Sequence, residues 1–162
     1  MKLNVQELSA IRFLHERVAV APPLNITPSC LRCWLVFTDG ACEGPEGSKV
    51  GSIGGVLVNP DGNIVSFFGG IVPDAIMSLF MQDSKNPIYE LEVLPVLVAS
   101  RAWAVRLASF QVCWYLDNEA ARSACIKAYG ATLVADRIVS AFIRDETDHQ
   151  TKSWFGRVPS RI

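Results

Sequence analysis

The run Cys33-Trp34-Leu35-Val36-Phe37-Thr38, followed at once by Asp39-Gly40, is the feature that most restricts what this chain can fold into. A strand with one wet face alternates apolar and polar residues. A continuous apolar run is buried on both faces and belongs in the middle of a sheet covered by helices. Residues 33–41 are therefore expected to form a central strand, with Asp39 emerging at its end.

The rest of the chain supplies neighbours for that strand. Residues 42–51, with Gly44, Pro45, Gly47 and Gly51, read as a loop, and 52–58 as the next strand. Asn59-Pro60-Asp61-Gly62 is a turn signal, so 63–70 returns as a third, antiparallel strand. Residues 71–87 read as irregular or as one short helix. Leu91, Leu94, Val98, Ala102 and Val105 recur at intervals of three and four, which predicts a helix over about 87–108. A strand follows at 111–116. Asp117-Asn118-Glu119 opens a helix to about 129 with Gly130 as its stop, then come a helix over 131–147 and a last strand over 153–158. The order β-β-β-α-β-α-α-β implies an α/β fold: a mixed sheet, antiparallel then parallel, flanked by helices. Ahead of it, Leu3, Val5, Leu8, Ile11, Leu14 and Val18 predict an extra N-terminal helix over 3–19, and a proline-bearing connector covers 21–31. The expected division is 1–31 and 32–162.

Composition excludes several classes. Half of the 162 residues are apolar and 19% are charged, which fits a domain with a real core and not a disordered chain. No apolar run approaches the roughly 18 residues that span a bilayer, and the start lacks a secretory layout. An odd count of five cysteines argues for a reducing compartment, so the expected location is intracellular, cytoplasmic or nuclear. Cys30-Leu31-Arg32-Cys33 has no second pair, and His15 and His149 are isolated, so zinc and thiol-redox readings carry little weight. The net charge of −1 means that a nucleic-acid partner would have to be met by a local basic patch or by help from another protein. Trp34, Trp103, Trp114 and Trp154 are expected in the core.

Acids mark the candidate site. Asp39 follows the first strand and Asp117 the fourth. If those strands are adjacent and parallel, both carboxylates leave the same sheet edge. Glu92, near the start of the long helix, can reach that edge as well. Acids converging without a basic partner repel, and a hard divalent ion such as Mg²⁺ or Mn²⁺ relieves that. Plainer roles exist for each: Asp39 as a turn residue, Asp117 as a helix cap, Glu92 as a first-turn acid. Glu90 suits the first-turn role better and is second choice for the site.

Four segments in order resemble ribonuclease H-like domains, in the style of reverse-transcribing elements: Thr38-Asp39-Gly40-Ala41-Cys42, Tyr89-Glu90-Leu91-Glu92-Val93-Leu94, Leu116-Asp117-Asn118, and Trp154-Phe155-Gly156-Arg157-Val158-Pro159-Ser160. The resemblance covers about 33–162. It implies a five-stranded ribonuclease H-like sheet and cleavage of the RNA strand of RNA–DNA hybrids. It also implies two Mg²⁺ (or Mn²⁺) ions, with Asp39, Glu92 and Asp117 as metal ligands and catalytic residues. Asn118, Arg157 and Arg161 would contact the hybrid, as would the loop with Glu43 and Lys49. An upstream reverse-transcriptase domain would be a partner, and no membrane is involved. The family carries a fourth carboxylate on a helix after the last strand, and this sequence stops at Ile162 before it. Asp145, Glu146 and Asp148 fall on the preceding helix and do not substitute. The expectation is binding of one ion with poor cleavage, and an exposed apolar sheet face where that helix would lie.

Overall fold

The computed structural model of the chain describes residues 4–20, 33–45, 48–82 and 86–158. The connector at 21–31, Cys30 and Arg161 lie outside the described residues. The chain divides into two compact units, Met1–Cys30 and Leu31–Ile162. The first holds helix α1, Val5–Val20. Its start is closed reciprocally: the Asn4 amide donates to Glu7 Oε2 at 2.7 Å, and the Glu7 amide donates to Asn4 Oδ1 at 2.9 Å. Among the described residues no helix is long and apolar enough to cross a membrane.

The second unit is a five-stranded sheet in the order β3-β2-β1-β4-β5. Its strands are β1 Trp34–Glu43, β2 Val50–Val58, β3 Ile64–Ile71, β4 Gln111–Leu116 and β5 Lys152–Arg157. The first three are antiparallel; β1 with β4 and β4 with β5 are parallel. The expected topology is therefore present, with the apolar run at the centre. The β2–β3 turn forms as its residues dictate. Asn59 Oδ1 accepts from the amides of Asp61 (3.1 Å) and Asn63 (2.8 Å), and Gly62 supplies a φ of +86°.

Helices α2 Asp74–Phe80, α3 Ile88–Ala102, α4 Ala104–Leu107, α5 Glu119–Lys127 and α6 Leu133–Asp148 complete the unit. α3 packs on β1 and β2 and against α6. The strand register gathers Val36, Leu57 and Trp114 on the covered face, all 0–1% exposed, under Leu91, Val96 and Phe142. Trp114 meets Phe142 edge-on, and its Nε1 donates to Ser153 Oγ at 2.9 Å. Truncating one of these large side chains costs about 2–5 kcal/mol. On the opposite face Phe67, Ile71 and Trp154 are 78%, 74% and 75% exposed. Trp154 is thus not a core residue, against expectation: β5 alternates, and Phe155 takes the buried side.

Several boundaries differ from the sequence reading. β1 continues through Glu43 because β2 pairs with it along its whole length, so Asp39 lies inside the strand and not at its end. The long helix breaks at Trp103, whose indole is buried on Phe68 and donates to Ser66 Oγ at 3.0 Å. α5 stops at Lys127 because Ala128 turns left-handed (φ 55°). Gly130 is not the stop. It packs on the backbone of Ala135 and Asp136, where a Cβ would not fit, and its amide donates to Asp136 Oδ1 at 3.1 Å.

Candidate metal centre

β1 and β4 run in parallel register from Trp34–Val112 to Phe37–Tyr115. β4 then ends at Leu116, while β1 goes on paired with β2 alone. The two strands part at this point. Asp39 and Asp117, each two positions past the Phe37–Tyr115 pair, meet at the split. Asp117 is not the cap of α5. That role belongs to Asn118, whose Oδ1 accepts from the Ala121 amide at 3.0 Å. The Asp117 carboxylate is thereby left to the cluster.

Glu92 arrives from the side, on the second turn of α3. Its approach depends on Gly40. A Cβ at position 40 would strike the Leu91 carbonyl and lie 2.9 Å from the Glu92 nitrogen. Pro95 contributes, because it lacks the amide that would engage the Leu91 carbonyl within the helix. Strand and helix backbones therefore touch where the acids converge, and the Gly40 amide donates to the Glu92 carboxylate.

One ligand oxygen from each of Asp39, Glu92 and Asp117 lies within 4.8 Å of the others. Asp39 is exposed, Asp117 half-buried and Glu92 only 5% exposed. At that separation two full charges repel by about 3–4 kcal/mol at an effective dielectric near 20. Burial pushes the Glu92 carboxyl up to about 8, with Asp117 and then Asp39 adding to the rise and the Gly40 amide opposing it. Glu92 Oε2 and Asp117 Oδ1 are buried with no hydrogen-bond partner. Two partnerless carboxylate oxygens facing a third acid are what a hard divalent cation would satisfy, so the donor set fits Mg²⁺ or Mn²⁺. No fourth carboxylate joins the three among the described residues.

The other candidates are placed as follows. Arg157 ends β5 opposite Leu116, one residue from Asp117, and is exposed. Lys49 donates to Asn86 Oδ1 at 3.3 Å, tying the loop after β1 to the entry of α3, and Glu43 is exposed at the strand end. Glu90 stays outside the cluster: it is 1% exposed and accepts from Thr132 Oγ1 at 2.7 Å. Asp145 pairs with Arg101 at 2.7 Å, and Glu146 accepts from the Ser153 amide. His149 ends α6. Cys125 is a core thiol that burial pushes up to about 12. The sequence reading missed Gly40 as a contact point and Thr38 as a buried, unpartnered hydroxyl beside Asp39. It also missed the Glu90–Thr132 link. A Thr just ahead of the apolar period of α6 was its one available signal.

No protein-family model and no curated protein matches the sequence. Solved structures do. Ribonuclease H1 of the archaeon Halobacterium salinarum superposes with a TM-score of 0.55 at 20% identity, over 78% of this chain and 85% of that one. LC11 ribonuclease H1, isolated from compost and crystallised with an RNA/DNA hybrid, gives 0.54 at 15% identity, over 78% and 85%. Prototype foamy virus protease-reverse transcriptase gives 0.58 at 10% identity, over 88% of this chain and 19% of that one. At these identities the likeness is one of fold: the unit carrying the three acids has the ribonuclease H-like fold.

Proposed function

From a ribonuclease H-like fold with three converging carboxylates, we propose that this chain is a metal-dependent nuclease domain that hydrolyses the RNA strand of RNA–DNA hybrids. We propose further that it works as part of a reverse-transcriptase-type protein. The observation that carries the reading is the pair of buried, partnerless oxygens on Glu92 and Asp117 beside Asp39. Asp39, Glu92 and Asp117 would hold Mg²⁺ or Mn²⁺. When bound, the metal supplies charge stabilisation at the phosphate and the leaving oxygen and makes water a stronger nucleophile. Asp39, the exposed member, is the ligand that substrate phosphate can approach. Glu92 and Asp117 lie deeper and would help hold the cation.

Substrate recognition would fall to groups around the split. Asn118 keeps its side-chain NH₂ for a 2′-hydroxyl while its oxygen caps α5, and Arg157 and Arg161 would meet phosphates. With a net charge of −1, these local cations or an upstream partner domain must supply the attraction. A second reading is favoured by one observation: with three acids and no fourth among the described residues, the domain would bind metal and hybrid without cutting.

The test is a labelled RNA–DNA hybrid with Mg²⁺ or Mn²⁺, run beside duplex DNA, for wild type, Asp39→Asn and Glu92→Gln. Cleavage of the RNA strand by wild type alone supports the nuclease. Metal-dependent hybrid binding without cleavage supports the second reading. Cleavage of duplex DNA instead would move the assignment to a DNA-acting nuclease of the same fold. If neither binding nor cleavage depends on Asp39, the site is not functional.

A further inference from the structure

Glu90 is an acid buried to 1% exposure that the metal reading does not use. An apolar side chain would fill the same space without the several kcal/mol that desolvating a carboxylate costs, so its presence calls for compensating contacts. It has them. Its Oε1 accepts from Thr132 Oγ1 at 2.7 Å, and that hydroxyl in turn accepts from the Ala135 amide at 3.2 Å as the cap of α6. The preceding residue repeats the connection: Tyr89 Oη accepts from the Ala131 amide at 3.0 Å. The carboxylate thus sits at the N-terminal end of a 16-residue helix, where the peptide dipole favours negative charge.

Glu90 and Glu92 are two positions apart on α3, about 200° around the helix. On the Glu92 side, α3 touches β1 through the backbone contact of Gly40 with Leu91 and Glu92. Leu91, Val93 and Val96 also pack α3 into the core, but apolar packing is non-directional, whereas a hydrogen bond fixes direction as well as distance. Glu90 and Tyr89 add such a hydrogen-bonded anchor on another side of the same two turns. We infer that Glu90, held by Thr132, is a positioning residue that sets the rotation of α3 and so aims Glu92 at Asp39 and Asp117. This rests on the reading of those three acids as a metal site. It gives α6, which contributes no ligand, a role in the site.

The experiment measures Mn²⁺ affinity of the full chain by calorimetry, with thermal midpoints taken on the same samples. Glu90→Ala and Thr132→Val should each weaken Mn²⁺ binding by about tenfold, the lower end of what losing groups that orient a metal ligand costs. Glu90→Gln and Thr132→Ser, which keep the hydrogen bond, should stay within about twofold of wild type. In Mn²⁺ affinity the double variant should be no weaker than Thr132→Val, because both single changes remove the Glu90–Thr132 bond, while the Ala135 cap lost with Thr132→Val should show in the midpoint. Thr132→Val serves if Glu90→Ala does not fold. A fall in midpoint with unchanged Mn²⁺ affinity would make Glu90 merely structural and overturn the inference. So would Glu90→Gln binding as weakly as Glu90→Ala. Asp39→Asn marks the separate failure: if it binds Mn²⁺ as wild type does, the metal reading itself falls and takes this inference with it.

Discussion

Gly40 and Leu91 meet backbone to backbone, with no room for a side chain between the central strand and the helix that carries Glu92. Gly40 has an ordinary negative φ, so this is a requirement of space and not of conformation. Gly40→Ala should push α3 away from β1. The expected cost is about 1–3 kcal/mol in urea unfolding, as for other overpacked contacts, together with weaker Mn²⁺ binding. An alanine variant with wild-type stability and wild-type Mn²⁺ affinity would show that the contact does not set the site.

The raised Glu92 carboxyl fixes the direction of a pH effect. Its value rises from 4.5 to about 8 on folding, so between those values the folded metal-free protein holds a proton that the unfolded chain has released. That contribution to stability is fully present below pH 4.5 and is lost as pH climbs through 8. Urea titrations with chelator at pH 5, 6.5 and 8 should show wild type losing stability relative to Glu92→Gln, by a few kcal/mol at most. Metal binding near pH 7 should release a proton, readable as a buffer-dependent calorimetric enthalpy. A wild-type-minus-variant difference that stays flat with pH would contradict both.

Like charges held together destabilise the metal-free fold, so removing one should help it. Asp39→Asn and Asp117→Asn are each expected to raise the thermal midpoint in chelator, by roughly 1–3 kcal/mol in stability, while abolishing stabilisation by Mn²⁺. Variants less stable than wild type in chelator would mean that the carboxylates do structural work instead.

Asn118 has a local duty that can be measured apart from any contact with nucleic acid. Loss of its bond to the Ala121 amide in Asn118→Ala should cost about 1 kcal/mol, and Asn118→Asp should restore it. Melting curves of the two variants decide this. Equal midpoints for alanine and aspartate would remove the capping role.

Phe67 and Trp154 stand largely in solvent on the uncovered sheet face. Phe67→Ser with Trp154→Ser should raise the solubility limit while shifting stability by no more than about 0.5 kcal/mol per site. Trp114→Phe, which removes the bond to Ser153, should cost more. A large loss of stability from the surface pair would place those side chains in a packed interface.

Much of this architecture is written locally. The apolar run before Asp39 could only be a central strand, the Asn59–Gly62 turn dictated a hairpin, and the spacing along α3 put Glu92 within reach of the strands. The number of elements and their order along the chain follow from such patterns because side-chain periodicity reports directly on burial; which strands pair side by side does not, and the five-stranded sheet was implied by the family resemblance. The patterns failed where a distant partner decided the outcome. Trp103 interrupts a helix that its own sequence would continue and that resumes as α4, with its indole buried against Phe68 of β3. β1 ran past Asp39 because β2 was there to pair with it.

The same division holds at the site. By itself the sequence determined which acids were candidates and on which elements they stand, since those are properties of residue type and local period. Only the tertiary structure decided that Asn118 caps α5 and frees Asp117, and that Gly40 lets α3 touch β1. It also separated Glu92, left beside two acids without a partner, from Glu90, bonded to Thr132. Apart from the local Asn118–Ala121 bond, these contacts join residues distant in the chain, such as Gly40 with Glu92, Asp39 with Asp117, and Glu90 with Thr132. Space, desolvation and hydrogen-bond satisfaction at such contacts exist only once the chain has closed on itself.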